Sequence, residues 1–353
     1  MYKVTDTKFS LLPLRDVHVH DWLDLVKRST SLNSYATPRL MLSAESAWPK
    51  LNDMQAILGQ VNNKTHQSDL VFLLPIIMRD QSLGQIMEIA APPTADHIEP
   101  LVDNQYVQQA TDGFIRFVGH ELKPNAIVGE FLSESFKDVL CQNFGQSLAK
   151  QEKTGKGRYW RLPPNNTELL ASFSSNFRQQ VRRFNRKSVD AGISYKVSSG
   201  PDAMENLRTL HHLRFRSLGK KSFFLRSEFR LFHDEVVKAD ALSLAAPLFL
   251  EAHFEGRVIG SLYGVHNHYC FTYLMIGFDP DFARFNLGHQ LIYETAKHLT
   301  ELGVEVFDFK CGEESYKERW AKDQYCNYGL AFTDGIGGSV SYWLDQITKR
   351  VAN

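Results

Sequence analysis

Residues 304–322 read VEVFDFKCGEESYKERWAK and place a dense set of reactive side chains just past a strand-like run. Val304, Val306, Phe307 and Phe309 carry the apolarity of a strand, and Asp308 faces opposite to its immediate neighbours. Cys311, Glu313, Glu314, Tyr316, Lys317, Arg319 and Trp320 follow. A carboxylate at Asp308 or Glu313 can remove a proton from a nucleophile, and Tyr316 can protonate a leaving group. Loops beyond the C-terminal ends of strands gather such groups because the strand holds their base rigidly. A solvated loop packed over Tyr316 and Trp320 has the same composition, and composition leaves both readings open.

Other stretches point to anion chemistry. After a strand-like run ending at Asp279-Pro280, a loop with Arg284, Asn286 and Gly288 leads into a helix. A helix N-terminus offers unpaired N–H groups and a positive dipole end, and glycine lets a ligand approach the backbone. A plain glycine cap would look the same. In residues 176–187, NFRQQVRRFNRK, five of twelve residues are basic, with Arg178 and Arg182 one helical turn apart. They can grip one anion or form a solvated face. His211 and Arg214 are neighbours on another helix, where a structural histidine is the default; no metal site is expected there. Asp16, His18 and His20 read as surface.

The chain that must position these groups has 353 residues, 43% of them hydrophobic and 12% aromatic, with 40 basic and 40 acidic side chains. That excludes a disordered chain and suggests two domains. The neutral total hides a partition: residues 1–149 carry net −5, residues 150–230 net +12, and residues 231–353 net −7. A phosphate-bearing partner is expected at the central cationic belt, between the two proposed domains. Cys141, Cys270, Cys311 and Cys326 are widely spaced, and no signal-peptide core opens the chain. The longest apolar run, Leu70–Met78, is too short to span a bilayer. These features fit a cytoplasmic protein without a membrane span.

Periodicity predicts helices over 16–28, 95–110, 131–150, 166–190, 201–218, 226–239, 288–302 and 314–321. Strands are expected over 70–78, 85–91, 114–118, 126–128, 158–162, 193–197, 247–254, 257–265, 269–278, 304–309 and 329–333. Residues 153–157, KTGKG, read as a turn. Both halves mix strands and helices, which leaves room for a structural duplication.

Several motifs together resemble the GNAT-type acetyltransferases associated with bacterial cellulose and exopolysaccharide biosynthesis (CelD/BcsL-like). They are Gly256…Gly260…Gly264, Leu287-Gly288 opening a helix, and Phe307-Asp308-Phe309…Gly312-Glu313…Tyr316-Lys317…Trp320. Residues 173–187, Leu210–Arg214, 69–78 and Asp96-His97-Ile98 also fit, so the resemblance covers nearly the whole chain. It implies an α/β (α+β) fold of two tandem GNAT-like domains, 1–163 and 164–353, each a mixed, largely antiparallel sheet flanked by helices. Fem-type aminoacyl transferases share that arrangement.

The resemblance also implies an acyl-CoA-dependent N-acyltransferase. Acetyl-CoA or another acyl-CoA would be co-substrate, no metal would be needed, and the acceptor would be an amine on a small metabolite, amino sugar or sugar nucleotide. Asp308, Glu313, Tyr316 and Lys317 would be catalytic. Arg284, Asn286, Leu287, Gly288 and His289 would hold the cofactor; Arg178, Arg182, His211, Arg214 and Trp320 would face substrate. Where the family has Q/R-x-x-G-x-G/A, this chain has Arg284-Phe285-Asn286-Leu287-Gly288-His289, with one glycine missing and His289 near the last small position. No enzyme-bound intermediate is required, so Cys311 is incidental. A Fem-like transferase using aminoacyl-tRNA is one alternative, and it alone would involve a nucleic acid; DNA is not an expected partner. A catalytically silent GNAT-like binding protein is the other.

Overall fold

The computed structural model describes residues 7–62, 68–81, 84–238, 247–335, 338–339 and 342. It divides into two units, residues 1–156 with 325–353, and residues 157–324. The sequence reading put the boundary near 163 and gave the C-terminus to the second domain. In the structure the described residues from Tyr325 onward belong with the first unit, because the last strand pairs there.

Unit 1 runs β1 (Lys8–Pro13), α1 (Val19–Arg28), α2 (Pro38–Ala47), β2 (Gln55–Asn62), β3 (Ser68–Gln81), β4 (Gly84–Ile89), β5 (Leu101–Val102), α3 (Val107–Arg116), β6 (Ala126–Ser133), α4 (Glu134–Phe144) and the first part of β7 (Leu148–Arg161). Unit 2 continues with α5 (Ser175–Asp190), β8 (Ser194–Ser198), α6 (Gly200–Ser217), α7 (Ser227–Lys238), β9 (Pro247–Phe254), β10 (Arg257–His266), β11 (Cys270–Phe278), α8 (Leu287–Glu301), β12 (Val306–Cys311) and α9 (Ser315–Trp320). Strand β13 (Asp323–Thr333) then returns the chain to unit 1.

The two units share one topology. In unit 1, β1, β2, β3 and β4 pair antiparallel in sequence order, β4 pairs β6 in parallel, and β6 pairs β13 antiparallel. In unit 2, β8, β9, β10 and β11 pair antiparallel, β11 pairs β12 in parallel, and β12 pairs β7 antiparallel. In each, two helices join the first two strands and one helix makes the crossover to the parallel strand. Each unit is thus the expected mixed, largely antiparallel sheet with helices, built on the same strand order.

Several local expectations give way to tertiary structure. Residues 153–157 are not a turn but part of β7, where Gly157 pairs with Cys311; strand pairing overrides the turn preference of a Lys/Gly run. Residues 114–118 are helical, since four apolar residues in five suit either state. The expected 95–110 helix starts only at Val107. The 131–150 helix narrows to α4, capped by the Ser133 hydroxyl accepting the Phe136 N–H at 3.2 Å. The 166–190 helix starts at Ser175, because Ser174 is its N-cap and accepts the Phe177 N–H at 3.3 Å. The expected end of α7 at Ala239 lies outside the described residues.

Unit 2's core gathers Trp160, Phe173, Val181, Leu291, Phe307 and Trp320 between the sheet and its helices. Helix α6 lies directly on β11. A methyl group added at Gly277 would sit 2.3 Å from the His211 backbone nitrogen and 2.6 Å from the Leu210 carbonyl carbon. Backbone cannot yield as a side chain does, so Gly277→Ala must push helix and strand apart. We expect a loss of about 1–3 kcal/mol in urea denaturation, with less loss for Gly288→Ala, whose added methyl meets nothing closer than 3.7 Å.

Candidate active site

The candidate site forms where β11 and β12 part. They pair only between Cys270–Thr272 and Val306–Asp308, after which β11 runs on to Phe278 and β12 to Cys311. The register of β11 against β10 passes from Tyr273↔Gly264 to Met275↔Tyr263, leaving Leu274 as an extra residue. Such a bulge bends the strand that carries it. Gly264 makes room for the bend, since an added methyl would lie 2.2 Å from the Phe271 ring and 2.5 Å from the Thr272 oxygen.

Beyond the parting, β12 ends in a turn held by charged groups. Lys310 has a φ of 64° and donates its N–H to the Asp308 carboxylate at 2.9 Å. Asp308 is buried, and so is Lys317. The Lys317 ammonium donates to the Cys311 carbonyl at 2.7 Å and pairs with Glu314 at 2.9 Å. Burial raises the Glu314 carboxyl, but the Lys317 contact, a backbone hydrogen bond and the Lys220 charge together leave it below the usual range. Asp308 and Lys317 therefore both grip the turn's backbone. Glu313, on the same turn, is exposed.

Tyr316 stands over Phe309, ring centroids 6.4 Å apart. Burial, then the Glu314 charge, pushes its phenol up to about 12, so it stays protonated and can donate a hydrogen bond. The Tyr273 hydroxyl and the Arg214 guanidinium lie close enough to act on it. Arg214 donates to the Ile276 carbonyl of β11 at 3.2 Å and covers the Phe278 ring at 4.7 Å. His211, one turn back on α6, is buried; its Nδ1 lies 2.8 Å from the Ser222 hydroxyl and its ring stacks on Phe215.

The anion loop leads straight into α8. Asn286 has a left-handed φ of 55° and makes no side-chain cap, while its carbonyl accepts from His289 and Gln290. The Leu287 and Gly288 N–H groups have no backbone partner among the described residues. A methyl added at Gly288 would touch Phe278 at 3.7 Å and Ile276 at 4.0 Å in ordinary contact, so the start of α8 lies against β11 beyond the parting. Arg284 is exposed, and its carbonyl accepts from Lys187 of α5 at 3.1 Å. These features fit the pyrophosphate of an acyl-CoA: N–H groups without backbone partners at a helix start, a glycine that adds no side chain there, and a cation beside them.

The remaining residues singled out by sequence stand apart from that opening. Trp320 is fully buried, and its indole donates to His289 Nδ1 at 2.9 Å amid Trp160, Phe173 and Phe177. An indole N–H can only donate, so a neutral His289 carries its proton on Nε2. Arg178 donates to the Phe173 carbonyl at 2.8 Å and the Ala171 carbonyl at 3.2 Å, bracing the turns before α5. Arg182 is exposed on α5. Sequence reasoning missed Tyr273, the Leu274 bulge, Gly277 and the role of Lys187. A glycine within an apolar strand was the one available signal.

Residues 175–318 match the family model of an acetyltransferase (GNAT) domain, which spans most of unit 2. No curated protein matches the chain. Among solved structures, FemX is 13% identical, with 91% of this chain and 96% of that chain covered and a TM-score of 0.58. The C-terminal domain (DUF2156) of a putative lysylphosphatidylglycerol synthetase from Agrobacterium fabrum is also 13% identical, with 92% and 94% covered and a TM-score of 0.53. A conserved protein of unknown function from Bacteroides thetaiotaomicron VPI-5482 gives 13%, 90% and 98%, and 0.54. At such identity they share the fold alone. Residues 175–318 are thus similar to a GNAT-type acetyltransferase domain, and the chain shares its overall fold with these solved structures. No helix among the described residues is long and apolar enough to cross a membrane.

Three imidazoles, two buried and His289 half-buried, make unit 2 sensitive to acid. Burial, then neighbouring positive charge, holds His211 and His289 at about 4 and His233 at about 3. The unfolded chain protonates them near 6.5, so below that pH it binds more protons than the folded chain. Stability is intact above pH 6.5 and falls as pH drops toward 4, by about 2 kcal/mol per histidine at pH 5. Urea midpoints at pH 7 and pH 5 measure this, and His211→Gln should flatten the slope.

Proposed function

We propose that the chain is an acyl-CoA-dependent N-acyltransferase whose reaction takes place at the mouth of the parted strands in unit 2. The observation that carries this reading is the divergence of β11 from β12 past Thr272, with Tyr316 packed by β12 and the unpartnered N–H groups at the start of α8 beside β11. The Leu287 and Gly288 N–H groups and Arg284 would hold the pyrophosphate, and the β11 edge released by β12 would line the pantetheine arm. Bound there, acyl-CoA supplies an activated thioester.

The acceptor amine attacks the thioester carbon; a C–N bond forms and the C–S bond breaks. Glu313, exposed on the turn, takes the amine's proton directly or through water. Tyr316, with its phenol raised to about 12, gives the departing sulfur a hydrogen bond rather than its proton. The proton lost by the amine ends on sulfur or in solvent. Asp308 and Lys317 act by holding the turn that carries both groups. The acceptor is an amine of a small metabolite, amino sugar or sugar nucleotide, and the motif resemblance favours envelope polysaccharide biosynthesis in the cytoplasm.

Calorimetry with acetyl-CoA and longer acyl-CoAs tests this reading; no binding to any of them sinks it. Gly288→Asp places a like charge at the phosphate position and should weaken acyl-CoA binding at least ~10-fold without unfolding the chain. With an amine panel as acceptor, Tyr316→Phe should lower kcat about 10–100-fold at unchanged KM, read as release of free thiol. A second reading, a Fem-like transferase using aminoacyl-tRNA, draws on the +12 segment and on the fold shared with FemX. Binding of charged tRNA that weakens steeply with salt would favour it.

A further inference from the structure

Unit 1 repeats the strand parting seen in unit 2. Strands β4 and β6 pair in parallel only over Ile86–Glu88 and Ala126–Val128, the counterpart of the short β11–β12 pairing. Here the chain itself fills the opening. Ile98 bridges Leu132 in parallel, donating its N–H to the Phe131 carbonyl at 2.8 Å and accepting from the Ser133 N–H at 2.8 Å.

This plug is fastened on both sides. His97 Nδ1 lies 2.8 Å from the Asn327 amide oxygen, and the Asn327 amide nitrogen donates to the Asp96 carbonyl. Glu99 accepts from the Ser31 hydroxyl at 2.7 Å and the Leu32 N–H at 3.0 Å. The β6 edge that an extended pantetheine arm would need is already used.

Beside the plug remains a cleft of about 320 Å³, bounded by Ile89, Ala95, Ile98 and Phe131. That volume suits a small ligand. Its lining carries both signs of charge. Arg79 pairs with Glu88 at 2.8 Å and Lys150 with Glu152 at 2.6 Å, so these four largely neutralise one another. Lys50 and Glu130 also line the cleft and form no ion pair among the described residues. Both are exposed, and the Glu130 charge also acts on Lys150 from beyond ion-pair distance; a cation and an anion outside the two close pairs match a ligand bearing both charges.

We propose that the unit 1 cleft is a second ligand site, closed to acyl-CoA, for a small zwitterion whose acid group meets Lys50 and whose ammonium meets Glu130. The acid group is a carboxylate in an amino acid and a phosphate in an amino-sugar phosphate.

Calorimetry on the full chain, with individual L-amino acids and with glucosamine 6-phosphate as probes, tests the site and separates the two sources. Binding by one probe class should weaken ~10-fold or more in Lys50→Ala and in Glu130→Gln. Acetyl-CoA should still bind both variants unchanged, saturate at one per chain, and not compete with the probe. The proposal is overturned if no probe binds up to about 10 mM, if binding survives both substitutions, or if acetyl-CoA competes or saturates at two per chain. Failure of acetyl-CoA to bind at all would count against the unit 2 reading, while the probe titrations still decide the cleft.

Discussion

A single inserted residue, Leu274, constrains the rest of unit 2. An antiparallel strand that gains one residue must bend, and β11 bends away from β12 just where their parallel pairing stops. Backbone groups freed by that parting cannot stay buried without partners. The Ile276 carbonyl finds Arg214, and the turn after β12 finds Asp308 and Lys317. Gly264 and Gly277 are the two places where a side chain would block the geometry, one under the bend and one under α6. The charged residues around the opening are thus mostly structural, and few groups are left to act on a substrate.

Duplication explains the architecture better than a simple succession of domains. Each unit needs a sixth strand beside its parallel pair; unit 2 takes β7 from the preceding chain and unit 1 takes β13 from the end. The same strand parting has met two fates. In unit 2 the edges of β11 and β12 stay apart among the described residues, whereas in unit 1 the 96–99 segment has moved in and been tied down by His97, Asn327 and Glu99. A common scaffold thus carries one filled and one open parting.

Much of this was legible locally. The hairpin strands β9, β10 and β11, the α8 helix and its glycine-bearing start, and the ionisable turn after β12 follow from patterns within a few residues. Trp320 shows the limit. The family resemblance implies a substrate contact for it, but helix α9 turns it into the core against Trp160, Phe173 and Phe177. Arg178 was equally deceptive, since its charge is spent on carbonyls of its own chain. In both cases the decisive partner lies on another element or in a neighbouring turn, where sequence spacing carries no information.

The cationic middle segment, the alternation of apolar positions and the helix caps belong to the sequence alone, because they depend on residue type and on neighbours within a turn. Tertiary structure decided which carboxylates and cations hold the backbone and which are free. It also decided that KTGKG is strand rather than turn, that the C-terminal strand returns to unit 1, and that one of two equivalent partings is closed. Each of those depends on pairing between segments far apart in the chain, and the hydrogen-bond partners that fix such pairing appear only once the strands have met.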